Sequence, residues 1–336
     1  MAPVSVEDLR TIIPWIPPRT VSRFRVQADR NRSAMDAVFI DTFITPDDLG
    51  RPPTRRTLNR VRDGIKAAER EGAALITLGG FTSILFECDR TAWGCAPAVT
   101  TGNSLTAALI VEGVKRALFL LGRSMEDERV LIIGASGDVG SACARSLAGQ
   151  VGQLVLSGRN GSRLQAEAGA LAGAGPVTWS TDTESALGTA TLVVSAASTG
   201  APMFNAARCH PEAIICDAGY PKNISTVPGD LGRRLFWGGL GKISGGFTSG
   251  DGMLERFYGF PTPEVAHGCI LEGAVLALAG RFESFSRGRG RIRPDAMSEI
   301  LGLATEQGVR VAPLFNSDGL WPEEQMTQAA GPVRCR

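Results

Sequence analysis

The chain has 336 residues, 43% of them aliphatic or aromatic and 21% charged, with 35 basic against 34 acidic side chains and a formal charge of +1. That length suits two modest domains or one elaborate one, and the charge balance excludes polyanion binding driven by overall charge. Two histidines, His210 and His267, and seven cysteines without CxxC spacing exclude a histidine-rich metal centre and a disulfide framework, so no metal is expected.

The odd cysteine count reads as reduced thiols in a cytoplasmic protein. No stretch reaches the roughly 18–20 apolar residues of a transmembrane span. The N-terminal MAPVSVEDLR lacks the basic and apolar regions of a secretory signal.

In chain order, residues 22–28 and 36–44 read as strands around a polar turn, and residues 53–71 as an Arg- and Lys-rich helix closed by Gly72. The run 74–81 reads as a buried strand ending in Gly79–Gly80, and residues 102–122 as a long helix starting at Gly102–Asn103. Apolar runs then alternate with helical segments: VLIIGA, helix 138–149, QLVLSG, helix 160–172, TLVVSAAS and AIICDAGY. This alternation predicts parallel βαβ units, hence an α/β fold with a doubly wound, Rossmann-type domain. The glycine-rich stretch 238–252 reads as a separator before a C-terminal helical region. There Thr262 and Pro263 suit a helix start and Gly280 its end, which places Cys269 about two turns in.

Gly134, Gly137 and Gly140 follow the VLII strand with Ser136, Asp138 and Val139 between them. In a dinucleotide site the first glycine allows the tight turn, the second admits the pyrophosphate, and the third lets helix pack on strand. The helix N-terminus then offers unpaired N–H groups and a positive dipole end to phosphate. The next strand ends in LSGRNGSRL, with Arg159 and Arg163 where an acid would bind a ribose hydroxyl. Arginines there suit a 2′-phosphate, so the expected cofactor is NADPH. Ser195, Ala196, Gly238 and Gly239 fall where strand ends would meet the nicotinamide. Three regions are expected: an N-terminal α/β substrate domain (1–122), an NADP-binding domain (123–250), and C-terminal helices carrying Cys269 that pack back on the first (251–336).

The Rossmann unit, the SAAS strand end and DAGYP resemble a shikimate dehydrogenase-type NADP domain. The Lys–Asp pair of that group is missing from LGGFTSILFE (78–87) and TTGNSLTAA (100–108). The chain more closely resembles the cyanobacterial-type long-chain acyl-carrier-protein reductases. The likeness rests on LGGFTSILFE, TTGNSLTAALIVEGVKRA, VLIIGASGDVGS, DAGYPKN, the Gly-Gly of FWGGL and HGCILEGAVLALAGRFESFSRGRGRI. It implies NADPH-dependent reduction of a carrier-bound acyl thioester to an aldehyde. A cysteine on the C-terminal helix takes the acyl group in that family, and the matching residue is Cys269.

Thiolate is a strong nucleophile suited to thioester exchange. Lys222, in the YPKN turn, is the expected electrostatic partner of Cys269, with Tyr220 a weaker candidate. His267, about 200° round a continuous helix from Cys269, is not expected to act as its base. Gly273, one turn further on, is expected to leave room for an acyl chain. Cys88, Cys95, Cys143, Cys209, Cys216 and Cys335 read as structural or incidental. Two basic groups could steer an acidic acyl carrier protein or remain solvated faces: Arg51, Arg55, Arg56, Arg60, Arg62 and Lys66, and Arg281, Arg287, Arg289, Arg291 and Arg293. Nucleic acid is not an expected partner. The alternatives are a shikimate dehydrogenase-like carbonyl or alcohol oxidoreductase without covalent catalysis, and a non-catalytic NADP(H)-binding regulator.

Overall fold

The computed structural model describes residues 5–29, 33–48, 54–86, 97–225, 234–249, 258–288 and 290–330; Arg51, Cys88, Cys95, Arg289 and Cys335 lie outside these residues. A short helix, α1 (Val6–Ile12), precedes a long antiparallel hairpin of β1 (Arg19–Ala28) and β2 (Ser33–Asp41). Helix α2 (Arg55–Arg70) is capped by the Thr54 hydroxyl, which accepts the Thr57 N–H. Its residues Thr57, Val61, Gly64, Ile65 and Ala68 recur at helical spacing and are buried, while Arg55, Arg56 and Arg70 are exposed.

The apolar run 74–81 is a strand only over β3 (Leu75–Thr77), because Gly79–Gly80 turn the chain into α3 (Phe81–Phe86). β4 (Ala98–Thr100) pairs parallel to β3 and leads into α4 (Asn103–Leu120). Helix α4 is apolar on nearly every side and buried along most of its length, as an internal helix must be.

The predicted alternation then unfolds as β5 (Arg129–Ile133), α5 (Asp138–Leu147), β6 (Gln153–Ser157), α6 (Gly161–Leu171), β7 (Val177–Ser180), α7 (Thr183–Leu187), β8 (Leu192–Ser195), β9 (Ile214–Asp217) and β10 (Leu235–Trp237). These six strands form one parallel sheet in the order β10-β9-β8-β5-β6-β7. The order reverses at β5, the doubly wound Rossmann arrangement that opens a ligand crevice at the carboxyl ends of the central strands. The central strands β5, β8 and β9 are almost wholly buried and read as apolar runs. β7, on the sheet edge, is partly exposed and lacks that signal.

The glycine-rich stretch is not a separator. It contains β11 (Leu240–Ile243) and β12 (Phe247–Ser249), and β12 pairs antiparallel with β1. β11 pairs antiparallel with β13 (Val265–His267) on one side and β14 (Val309–Val311) on the other. The glycines permit this: Gly239, Gly245 and Gly246 have positive φ, and a Cβ at Gly241 would lie 2.6 Å from Leu271. Because β13 takes residues 265–267, the next helix, α8 (Gly268–Leu278), starts later than Thr262–Pro263 suggested. Helix α9 (Pro294–Glu306) follows, and α8 and α9 both pack against α4.

Candidate active site

The glycine turn after β5 is built to leave its outer face open. Gly134 has φ +84°, and a Cβ there would lie 2.8 Å from the backbone of Ala197. Gly137 is the N-cap of α5 and donates its N–H to the Gly134 carbonyl at 2.8 Å. A Cβ on Gly140 would lie 2.3 Å from that same carbonyl oxygen, so helix and strand meet at a distance only glycine allows. The first-turn N–H groups of α5 have no partner within the helix and face a cleft lined by Gly134, Ser136, Gly137, Asp138, Val139 and Arg159. This cradle, whose close turn a Cβ at Gly134 or Gly140 would disrupt, fits a dinucleotide pyrophosphate.

The expected cofactor residues divide. Arg159 is exposed and lines the cleft just beyond β6, whereas Arg163, also exposed, lies on α6 outside the lining. The Asp138 carboxylate accepts the Asn103 amide at 2.9 Å and the Gly290 N–H at 2.8 Å, so it ties α5 to α4 and to Gly290. Ala196, Gly238 and Gly239 line the cleft. Ser195, expected beside the nicotinamide, is instead fully buried and donates its hydroxyl to Asn223 Oδ1 at 2.7 Å.

The DAGYPKN segment is a turn wound around Asp217. One carboxylate oxygen accepts the Gly219 N–H, the other the Asn223 and Ile224 N–H groups, at 2.8–3.0 Å. Burial pushes this carboxyl up despite the nearby Lys222 charge and those bonds. Lys222 does not line the cleft. Its ammonium donates to the Asp217 carbonyl at 3.1 Å and lies 4.8 Å from the centre of the Trp237 ring, behind the wall. Burial pulls its pKa down, and Asp217 opposes that shift. The tip of the turn, Tyr220, is what reaches the cleft.

Cys269 is the second residue of α8, not two turns inside it. Its sulfur lies against Gly79, with the Gly80 and Ile270 backbone N–H groups near enough to favour its anion. Burial nevertheless pushes the thiol up to about 11; those N–H groups oppose the shift, and the nearby Glu272 carboxylate reinforces it. Around the cysteine the backbone is packed too closely for side chains. A Cβ on Gly102 (φ +71°) would lie 2.3 Å from Cys269 Cα, and one on Gly268 would lie 2.6 Å from Thr106 Cα. Thr77 donates its hydroxyl to the Cys269 carbonyl at 2.6 Å. Gly273 lines the cavity as expected and also admits Thr77, whose Cβ lies 2.7 Å from the position a Cβ would take.

The sequence left Glu272 unremarked and set His267 aside on helical geometry. Glu272, one turn after Cys269 and fully buried, accepts the Thr100 and Ser286 hydroxyls and the Leu105 N–H at 2.5–3.0 Å. It thereby caps α4 and holds Gly102 against Cys269; a single acid in the apolar run CILEGAVLALAG was the available signal. His267 ends β13 and is the N-cap of α8, so the helical angle that separated it from Cys269 does not apply. Its ring lies 5.0 Å from Tyr258, 5.2 Å from Phe260 and 5.8 Å from Tyr220, centre to centre. Burial, aided by the Lys222 charge, pushes its pKa down to about 3.

One cavity of about 1310 Å³ joins these parts, from the Gly134 turn past Tyr220, His267 and Cys269. Its lining also includes Ile270, Ala274 and Ala277 of α8, Phe282, and Val61, Ile65 and Ala68 of α2. Of the basic groups, Arg60 is engaged internally: it donates to the carbonyls of Ile13, Pro14, Ile16 and Thr42. Arg56 also bonds Pro14 and lies over the Trp15 ring at 4.5 Å. Arg281 pairs with Glu283 and Glu299, and Arg293 with Asp295. Burial pushes the Cys143 thiol up to about 12, and burial also holds the Cys216 thiol well above the ordinary thiol range. Among the described residues no cluster of His, Cys, Asp or Glu could hold a metal, and no helix is long and apolar enough to cross a membrane.

Sheet order and glycine turn together define a Rossmann-type dinucleotide-binding α/β protein with a cysteine in the same cleft. The chain is similar to the long-chain acyl-[acyl-carrier-protein] reductase of Synechococcus elongatus, 29% identical over 305 residues that cover 84% of each protein. It is also 31% identical over 269 residues to aminotransferase PigE of a Serratia species, covering 77% of this chain but only 30% of that longer protein. No family model matches the sequence. Among solved structures, L-tryptophan dehydrogenase from Nostoc punctiforme aligns over 89% of this chain and 76% of its own at 11% identity, TM-score 0.38. The nucleotide-binding domain of glutamyl-tRNA reductase from Thermoplasma volcanium covers 39% of this chain and 83% of its own at 18% identity, TM-score 0.30. The resemblance to the acyl-carrier-protein reductases thus extends over most of the chain and supports a nicotinamide-dependent reductase.

Proposed function

We propose that this chain is an NADPH-dependent oxidoreductase that reduces a carrier-bound acyl thioester to the aldehyde through an acyl group on Cys269. The observation that carries the proposal is the position of the Cys269 sulfur, in one cavity with the dinucleotide turn and near the Gly80 and Ile270 N–H groups. The first-turn N–H groups of α5 hold the pyrophosphate, Arg159 meets the 2′-phosphate, and Ala196 with Gly238–Gly239 border the nicotinamide. Bound there, the reduced nicotinamide supplies a hydride for the acyl carbon.

Cys269 performs the acyl transfer. Its sulfur adds to the thioester carbonyl, the bond to the departing thiol breaks, and the Cys269 proton leaves with that thiol. The Gly80 and Ile270 N–H groups favour the sulfur anion as it forms, offsetting part of the burial that keeps the resting group a thiol. After reduction the thiohemiacetal on Cys269 collapses, releasing aldehyde and restoring the sulfur.

The acyl chain lies in the apolar arm beyond Cys269. From Cys269 to Ala277 the helix rises about 12 Å. An extended chain advances about 1.2 Å per bond, as peptide backbone does, so this wall accommodates a chain of about ten bonds. The carrier-bound form of the substrate rests on the activity named for the Synechococcus relative.

The test is intact-protein mass after exposure to acyl thioesters of graded length without NADPH. A mass gain mapping to Cys269, strongest for medium-length chains, is expected. Thioester turnover with NADPH, but no adduct across the series, would overturn the covalent route.

A further inference from the structure

We propose that the neutral imidazole of His267 donates the hydrogen bond that stabilises the oxyanion formed when Cys269 adds to a thioester carbonyl. This rests on Cys269 being the acyl-bearing residue. As the carbon–sulfur bond forms, the carbonyl π pair moves onto oxygen. As the oxygen pair swings back to reform the carbonyl, the bond to the leaving thiol breaks and its electron pair goes to the departing sulfur. The Cys269 proton goes to the leaving thiol. His267 keeps its own proton throughout and acts only as donor.

Geometry supplies the donor at the right wall. His267 and Cys269 flank Gly268 at the junction of β13 and α8, and both line the cavity. The imidazole does not cap the helix that it precedes. Two tyrosine rings locate it relative to the sulfur: Tyr220 and Tyr258 each border His267, and each lies close enough to Cys269 to be affected by its charge. Tyr220 also packs on Gly80, 3.5 Å from where a Cβ would stand, and the Gly80 N–H is near the sulfur. The backbone N–H groups near Cys269 favour the sulfur anion, and the His267 ring offers a separate donor for the carbonyl oxygen.

Three features keep the ring neutral. Burial in the aromatic cluster disfavours imidazolium, the Lys222 ammonium behind the wall disfavours it further, and the positive end of α8 acts in the same direction. A neutral imidazole always retains one N–H, and one held neutral beside a helix N-terminus can polarise a carbonyl. On this account Lys222 acts through His267 as a positioning charge, without touching substrate.

The experiment compares two reactions of the same thiol in the full chain, without cofactor. Acylation by an octanoyl N-acetylcysteamine thioester passes through an oxyanion; alkylation by iodoacetamide does not. His267→Phe preserves an aromatic ring in the cluster and removes the donor. It is expected to slow acylation about 10²–10³-fold, the effect of losing one oxyanion donor, and to leave alkylation unchanged. His267→Gln, whose amide can donate, is expected to recover part of the loss. Wild-type acylation in His267→Phe overturns the proposal, as does a parallel loss of acylation and alkylation in both variants. Absence of any adduct on the unmodified chain removes the acyl-enzyme itself, a separate failure.

Discussion

The dinucleotide turn and the Cys269 centre share one cavity but are assembled in opposite ways. The turn comes from a single stretch, Ile133 to Arg159, in which neighbouring elements in sequence are neighbours in space. Its glycines are required by contacts with the strand and helix that they join, apart from the approach of Ala197. The Cys269 centre draws on β3, α4, the Asp217–Asn223 turn, the Tyr258–Phe260 segment and α8. Its defining hydrogen bonds join Thr77 to Cys269 across 192 residues and Thr100 to Glu272 across 172. A local motif can therefore shape the glycine cradle, whereas the surroundings of Cys269 depend on the completed packing of distant segments.

The strongest way to separate the two halves is Cys269→Ser. A neutral hydroxyl is a far weaker nucleophile than a thiolate, so acyl transfer is expected to fall more than about 10³-fold. NADPH binding, followed by fluorescence titration, should be unchanged. Thioester turnover near the unmodified rate would return Cys269 to a packing role.

The next effect is a pH dependence. Burial raises the Cys269 thiol to about 11, so the thiolate fraction grows with pH until that value is passed. Alkylation mapped to Cys269 is expected to rise about tenfold per pH unit, or roughly a thousandfold between about pH 7 and 10. A plateau already at neutral pH would show that the N–H groups outweigh burial.

A matched pair of glycine variants comes next. Gly140→Ala forces a methyl against the Gly134 carbonyl; overpacking of this kind costs about 1–3 kcal/mol. It should weaken NADPH binding while leaving Cys269 alkylation intact. Gly102→Ala adds strain at positive φ and a clash with Cys269 Cα, so it should suppress acylation and spare cofactor binding. If each variant damages both functions equally, the two halves are mechanically one.

The smallest expected effect concerns cofactor choice. Arg159→Asp exchanges a charge-assisted contact worth about 1.5–3 kcal/mol for a repulsion, so NADPH affinity should drop at least about tenfold while NADH affinity changes little. Equal affinity of the unmodified chain for both cofactors would remove the arginine argument.

The sequence by itself determined the six-stranded doubly wound sheet's central strands, the glycine turn, the helix α4 and the likeness to acyl-carrier-protein reductases. Each is written locally, in hydrophobic period, glycine spacing or contiguous motif. Edge strands β7 and β10 escaped because short or half-exposed strands carry little apolar signal. Tertiary structure decided the rest. Pairing of β13 with β11 took residues 265–267 out of the helix, which moved Cys269 to its first turn and brought His267 to the cleft. Contact with Asp217 and Trp237 drew Lys222 behind the wall, and Arg60 became a clamp on residues 13–16 rather than an open docking charge. Such outcomes rest on partners distant in the chain, and no periodicity or spacing records which distant backbone will compete for a given residue.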